Sequence, residues 1–127
     1  MIVKKKVCAV IVTYGDRFKF LKQVVDALLT LGIDWVVIVE NNSKPGSAKS
    51  IKKHYHGKDG FTCVRHDENL GSAAGFNTGI KKAIERSGCQ FLWLLDDDNM
   101  PGKDALEVLK NYWKSSKQED KDSKLCL

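Results

Sequence analysis

Two stretches of this chain, residues 7–12 (Val-Cys-Ala-Val-Ile-Val) and 35–39 (Trp-Val-Val-Ile-Val), are unbroken apolar runs rich in β-branched side chains. A strand with one face in water alternates apolar and polar residues. A run without alternation is buried on both faces, as strands are inside a parallel sheet covered by helices. Each run ends in a polar turn, Thr13-Tyr14-Gly15-Asp16 after the first and Glu40-Asn41-Asn42-Ser43 after the second, with Pro45 and Gly46 extending the second loop. Residues 61–65 and 91–95 read as a third and a fourth strand. Between the runs the period changes. Phe18, Leu21, Val24, Val25, Leu28 and Leu29 recur at three and four residues and Gly32 stops the pattern, so the spacing predicts an amphipathic helix. A short helix over 47–55 is expected, and a longer one runs from Ser72 through Arg86, closed by Gly88. Pro101 suits the first helical positions of a last helix whose apolar stripe is Leu106, Leu109, Tyr112 and Trp113. Four strand–helix pairs in succession imply an α/β fold, an open and mainly parallel sheet with right-handed crossovers and helices on both faces.

At 127 residues the chain fits one domain, expected over residues 1–114. Residues 115–127 are polar without apolar period and are expected to form a disordered tail. No stretch approaches a membrane span, and the N-terminal Met-Ile-Val-Lys-Lys-Lys lacks the apolar region of a signal peptide. The expected location is the cytoplasm, with a peripheral place at the inner face of the cell membrane as the second option. Net charge is +5, with lysines at 4–6, 49, 52–53 and 81–82. Such a surface is most simply solvated, and otherwise favours a membrane or an anionic substrate. Nucleic acid is not an expected partner, because arginine clusters and interleaved aromatics are missing. Cys8, Cys63, Cys89 and Cys126 form no Cys-x-x-Cys pair, so neither a zinc site nor a redox pair is signalled and all four are expected to be reduced thiols.

Residues 91–99 (Phe-Leu-Trp-Leu-Leu-Asp-Asp-Asp-Asn) join the fourth strand directly to three carboxylates, Asp96, Asp97 and Asp98. In open α/β sheets ligands bind just beyond the carboxyl ends of the strands. Three adjacent like charges repel one another, so the cluster calls for a cation, and oxygen ligands alone suit Mg²⁺ or Mn²⁺ better than zinc. An EF-hand loop is excluded by Met100 and Pro101 at its fifth and sixth positions. A phosphoacceptor receiver domain would carry its acid pair after the first strand, where this chain has Tyr14-Gly15-Asp16. The segment Asn69-Leu70-Gly71-Ser72-Ala73-Ala74-Gly75-Phe76-Asn77-Thr78-Gly79 spaces glycines at four residues, which serves either close helix packing or close approach of backbone to a ligand. His54 and His56 point to different faces and read as a surface pair; His66 reads as a solvent-exposed histidine near the rim, and Trp93 and Trp113 as core.

Taken in order, Val-Ile-Val-Thr-Tyr, Val-Glu-Asn-Asn-Ser, Asn-Leu-Gly-x-Ala-x-Gly-x-Asn-x-Gly and Leu-Leu-Asp-Asp-Asp-Asn-Met-Pro resemble the family 2 glycosyltransferases over residues 7–113. Within that family the rhamnosyl- and galactofuranosyltransferase-like branch is the nearest. The resemblance implies the Rossmann-like, nucleotide-sugar-binding half of a GT-A fold, with the first and fourth strands adjacent where strand order reverses. It implies that Asp96 and Asp98, the outer acids of an Asp-x-Asp motif, hold Mn²⁺ or Mg²⁺ on the donor diphosphate, and that Asp97 faces the ribose or sugar. Thr13 and Tyr14 would line the nucleobase pocket, and Asn69, Gly71, Gly75 and Asn77 the wall near the diphosphate and sugar. Glu40 stands where the family usually has an aspartate on the base; its longer side chain leaves the choice of base open.

The implied activity is metal-dependent inverting transfer of a sugar from a UDP- or dTDP-linked donor to a glycan or lipid-linked acceptor, this chain supplying the donor-binding part. The family's general base would lie beyond residue 127, so no catalytic residue is nominated. The alternative is a non-catalytic domain that binds a nucleotide sugar or a partner. A nucleotidyltransferase would want a glycine-rich turn after the first strand, of which Tyr14-Gly15-Asp16-Arg17 is only a faint echo.

Overall fold

The computed structural model describes residues 5–86 and 88–116. Four strands and four helices alternate strictly: β1 (Lys6–Tyr14), α1 (Phe18–Thr30), β2 (Trp35–Asn41), α2 (Pro45–Tyr55), β3 (Phe61–His66), α3 (Ser72–Glu85), β4 (Cys89–Asp96) and α4 (Ala105–Ser115). All pairings are parallel and the sheet runs β3-β2-β1-β4, so the strand order reverses between β1 and β4. The α/β, mainly parallel class expected from the sequence is the fold observed.

The sheet has two unequal faces. Val7, Ala9 and Ile11 of β1, Val36 and Ile38 of β2, and Leu95 of β4 pack against Leu21, Val24, Val25 and Leu28 of α1, Ile51 and Tyr55 of α2, and Leu106 of α4. The opposite face is narrower. Cys8, Val10, Val12, Val37 and Val39 pack there with Ala83 and Phe76 of α3. β1 and β2 are therefore buried on both sides, which is why their sequences show no alternation. β4 alternates in exposure despite its apolar sequence: Leu92 and Leu94 are 36% and 45% exposed on the α3 side, whereas Leu95 is 2% exposed on the other.

Gly75 and Gly79 let α3 sit close to the sheet. A Cβ on Gly75 would stand 2.7 Å from a Val12 methyl and 3.1 Å from Asn41 Nδ2, and one on Gly79 would meet Val10 and Val39. The four-residue glycine spacing thus serves helix packing at both positions.

Three expectations need correction. α2 begins at Pro45 rather than Ser47, because proline fits the first helical turn where its missing N–H has no partner to lose. α4 begins at Ala105 rather than at Pro101: Gly102, a poor helix former, follows the proline directly, and the helix starts only after Asp104. The cysteines are not all reduced thiols, since Cys8 and Cys89 form a disulfide, with Cα atoms 5.9 Å apart across 81 residues of sequence. Cys63 is free, and burial pushes its thiol up to about 11, as befits a small apolar side chain. Cys126 lies outside the described residues, as does the expected tail from residue 117 onward; Ser115 itself closes α4. Among the described residues no helix is long and apolar enough to cross a membrane.

Candidate functional site

Register decides which rim side chains meet. Val12 pairs with Asp96 across β1 and β4, which brings Thr13 and Asp97 side by side on the α1 face of the sheet. Thr13 Oγ1 donates to Asp97 Oδ2 at 2.8 Å. Arg17, just before α1, closes on the same carboxylate: Nε donates to both oxygens at 3.0 and 2.8 Å, and Nη2 donates to Oδ1 at 2.8 Å. Asp97 is only 3% exposed. A buried carboxylate is stable when paired and multiply hydrogen-bonded, and these donors supply both conditions. The hydrogen bonds that Arg17 donates to Asp97 raise its pKa above its already high ordinary value, partly opposed by desolvation.

Asp96 and Asp98 are placed differently. Both are exposed, Asp96 at the end of β4 on the α3 side and Asp98 in the turn beyond. That turn is closed by the Asn99 amide, which donates to the Asp96 carbonyl at 3.1 Å. Asp98 Oδ2 lies 3.1 Å from Arg17 Nη2. With Asp97 neutralised by Arg17, the excess negative charge of the triple aspartate resides on Asp96 and Asp98. The oxygens of Asp97, expected to face the ribose or sugar of a donor, accept from Thr13 and Arg17.

The same register logic builds the neighbouring part of the rim. Thr13 pairs with Glu40, and Glu40 with Arg65. Glu40 is 7% exposed, and its Oε1 accepts from Arg65 Nη1 at 3.0 Å, while Arg65 Nη2 donates to Asn42 Oδ1 at 3.2 Å and the Ser43 carbonyl at 3.1 Å. Burial pushes the Glu40 carboxyl above the ordinary carboxylate range, against the opposing pull of Arg65.

On the α3 side, Asn41 Nδ2 donates to the Gly71 carbonyl at 2.8 Å, which turns its Oδ1 toward His66 Nδ1 at 2.7 Å. The ring's other nitrogen, Nε2, lies 2.9 Å from Thr78 Oγ1. Because Asn41 Oδ1 can only accept, Nδ1 is the donor of that pair, and Nε2 is satisfied by the Thr78 hydroxyl. His66 is thus half-buried and tied to β2 and α3, which corrects its reading as a solvent-exposed side chain. Asn69 Oδ1 accepts from the Gly71 amide at 2.9 Å, and Gly71 has φ +88°, a conformation glycine adopts without strain.

Tyr14 is 49% exposed at the end of β1, and the Arg17 guanidinium carbon sits 5.2 Å from its ring centroid and 5.1 Å from that of Phe20. Asn77 is exposed on α3, whereas Gly75 is buried beneath it. Of the remaining histidines, His54 packs 4.9 Å from the Phe18 ring and bonds the Ser50 carbonyl, and His56 is exposed, so the two do not share a site.

Sequence reasoning missed Arg17, Arg65 and the Asn41–His66–Thr78 chain. Arg17 had a signal, being a cation in the turn after β1, on the strand expected to neighbour the acid-bearing one. Among the described residues no group of three or more His, Cys, Asp or Glu side chains converges to hold a metal ion. Two exposed carboxylates, Asp96 and Asp98, are hard oxygen donors of the kind that Mg²⁺ or Mn²⁺ takes together with water and phosphate oxygens.

A parallel sheet whose acids gather at the reversal of strand order is an α/β domain of the doubly wound type, in which ligands bind at that end of the strands. The chain belongs to the family described as glycosyl transferase family 2, whose sequence model matches residues 8–118. A search among curated proteins gives no match. Among solved structures, residues 1–349 of S. aureus TarS superpose with a TM-score of 0.68 at 18% identity, covering 86% of this chain and 32% of TarS 1–349. The same TarS segment has been solved in complex with UDP. The mannosyltransferase PcManGT from Pyrobaculum calidifontis, solved with GDP-Man and Mn²⁺, superposes with a TM-score of 0.63 at 21% identity, covering 80% of this chain and 30% of its own. At these identities the likeness establishes the fold. The chain spans about a third of the length of these structures.

Proposed function

We propose that this chain is the donor-binding part of a metal-dependent inverting glycosyltransferase that uses a UDP- or dTDP-linked sugar and a glycan or lipid-linked acceptor. The observation that carries the reading is the division of labour among the three aspartates. Asp97 is withdrawn into a buried pair, and Asp96 and Asp98 are left projecting where β1 and β4 part. Asp98 is exposed and carries only a single guanidinium contact, so its carboxylate stays accessible to a cation. The asparagine- and glycine-containing segment at 69–79 together with the triple aspartate favours the rhamnosyl- and galactofuranosyltransferase-like branch.

In this reading Asp96 and Asp98 hold Mg²⁺ or Mn²⁺ from the protein side. When bound, the ion supplies Lewis-acid neutralisation of charge developing on the departing nucleoside diphosphate. Tyr14 offers an exposed ring for the nucleobase, and the adjacent Thr13, fixed by its bond to Asp97, is assigned to the same region. Glu40, held by Arg65, is assigned to the nucleobase side as well, with the part-exposed guanidinium of Arg65 beside it as a donor. Asn69 and Gly71 shape the loop beside the diphosphate, Asn77 extends that wall, and Gly75 acts beneath it by seating α3. The general base that would deprotonate the acceptor is assigned to no residue of this chain.

A thermal-shift screen over UDP-, dTDP-, GDP- and CDP-sugars tests the reading, because a ligand that binds only the folded state raises the midpoint. UDP- or dTDP-sugars should stabilise the chain, and more so with Mn²⁺ than without. Absence of a shift with every nucleotide sugar, or shifts indifferent to the metal, would sink it.

A further inference from the structure

Arg17 does two physically different things with one guanidinium. Toward Asp97 it presents a fork, Nε on both oxygens and Nη2 on Oδ1, all at 2.8–3.0 Å, against a carboxylate only 3% exposed. Toward Asp98 it presents only Nη2, at 3.1 Å, against a side chain 58% exposed. Breaking a buried, multiply bonded pair strands a charge away from water, whereas an ion pair to an exposed carboxylate is weak and exchanges readily. The rings of Tyr14 and Phe20 lie 5.2 and 5.1 Å from the guanidinium carbon and help hold it at the rim.

We propose that Arg17 is a positioning residue with two separable functions: Nε and one Nη2 N–H seat Asp97, and the second Nη2 N–H is an exchangeable place-holder for the divalent cation at Asp98. The inference rests on the reading of Asp96 and Asp98 as metal-holding residues. A divalent ion would compete with the guanidinium for Asp98 with twice its charge. The bonds from Nε and Nη2 to Asp97 would keep Arg17 in place, and the Nη2 N–H released from Asp98 would be free to donate to diphosphate oxygens of the donor. Metal entry and anion binding are then coupled through one side chain.

The test is Mn²⁺ affinity without nucleotide, read from the electron paramagnetic resonance signal of the free ion, for the wild-type chain and for the double variant Arg17→Met/Asp97→Asn. The double change removes one positive and one negative charge, so the local net charge is unaltered and a pure field effect predicts no difference. Release of Asp98 from its place-holder predicts severalfold tighter Mn²⁺ binding, abolished by adding Asp98→Asn. Equal affinity in a folded double variant overturns the proposal. Should the double variant not fold, side-chain ¹⁵N spectra of the wild type under Mg²⁺ titration decide: the Arg17 Nε–H signal should stay and its Nη signal move. A stationary Nη signal while Mg²⁺ binds overturns the proposal. Failure of the underlying reading looks different, with no binding of Mn²⁺ or Mg²⁺ at all, whether or not UDP is present.

Discussion

Thr13 places one hydrogen bond on a carboxylate that water barely reaches, so a small change there has a measurable cost. Hydrogen bonds to charged groups contribute about 1.5–3 kcal/mol, and Thr13→Val should lose about that amount in urea denaturation while Thr13→Ser keeps most of it. Glu40 gives the rim a pH signature. Its pKa is raised in the folded state, so the fold binds more protons than the unfolded chain over the interval above the ordinary carboxylate range. The contribution of Glu40 to stability is full below that range and is lost as pH rises through the raised value. Glu40→Gln should flatten this part of the pH–stability profile; an unchanged profile would mean burial does not govern the group. At this scale the sequence shows which residues are acids but not which acid is neutralised. Asp97 differs from Asp96 and Asp98 only through Thr13 and Arg17, which lie 84 and 80 residues away. No local pattern encodes that pairing.

The elements were legible where burial imposes a pattern on consecutive residues. β1 and β2 are covered on both faces and read as continuous apolar runs; α1 is covered on one and reads as a stripe. β4 looks like them in sequence yet exposes Leu92 and Leu94, because α3 lies mainly over β1 and β2 and reaches this strand only in part. The face assignment has a direct consequence. Leu95→Ala should cost about 2–5 kcal/mol as a core truncation, while Leu94→Ser should stay within about 0.5 kcal/mol as a surface change. Glycines within helices separate in the same way. Gly79→Ala would gain up to about 1 kcal/mol in helix propensity but force a methyl into Val10 and Val39, an overpacking cost of about 1–3 kcal/mol. The net effect should be destabilising. Gly46→Ala on α2 meets nothing within 4 Å and should stabilise by about 0.5–1 kcal/mol. The start of α4 was not legible, since Pro101 is a good first helical residue only if its successor can continue the helix, and Gly102 continues it poorly.

On the scale of the whole molecule, alternation of strands and helices was enough to imply a parallel sheet, and the ordered motifs implied that β1 and β4 adjoin. That adjacency makes the site, because it sets the turn after β1 against the acids after β4. It also joins Cys8 to Cys89, a contact invisible in a sequence without paired-cysteine spacing. The central claim is that Asp96 and Asp98, freed by the burial of Asp97, hold a divalent cation on a nucleoside diphosphate. Titration calorimetry of UDP with and without Mn²⁺, on the wild-type chain and on Asp98→Ala, tests it most directly. Mn²⁺ should tighten UDP binding to the wild type by at least about tenfold, a difference of about 1.4 kcal/mol, and should leave Asp98→Ala unaffected. UDP binding that is indifferent to Mn²⁺ in the wild type, or an Asp98→Ala chain that keeps the full metal-dependent gain, would contradict the account.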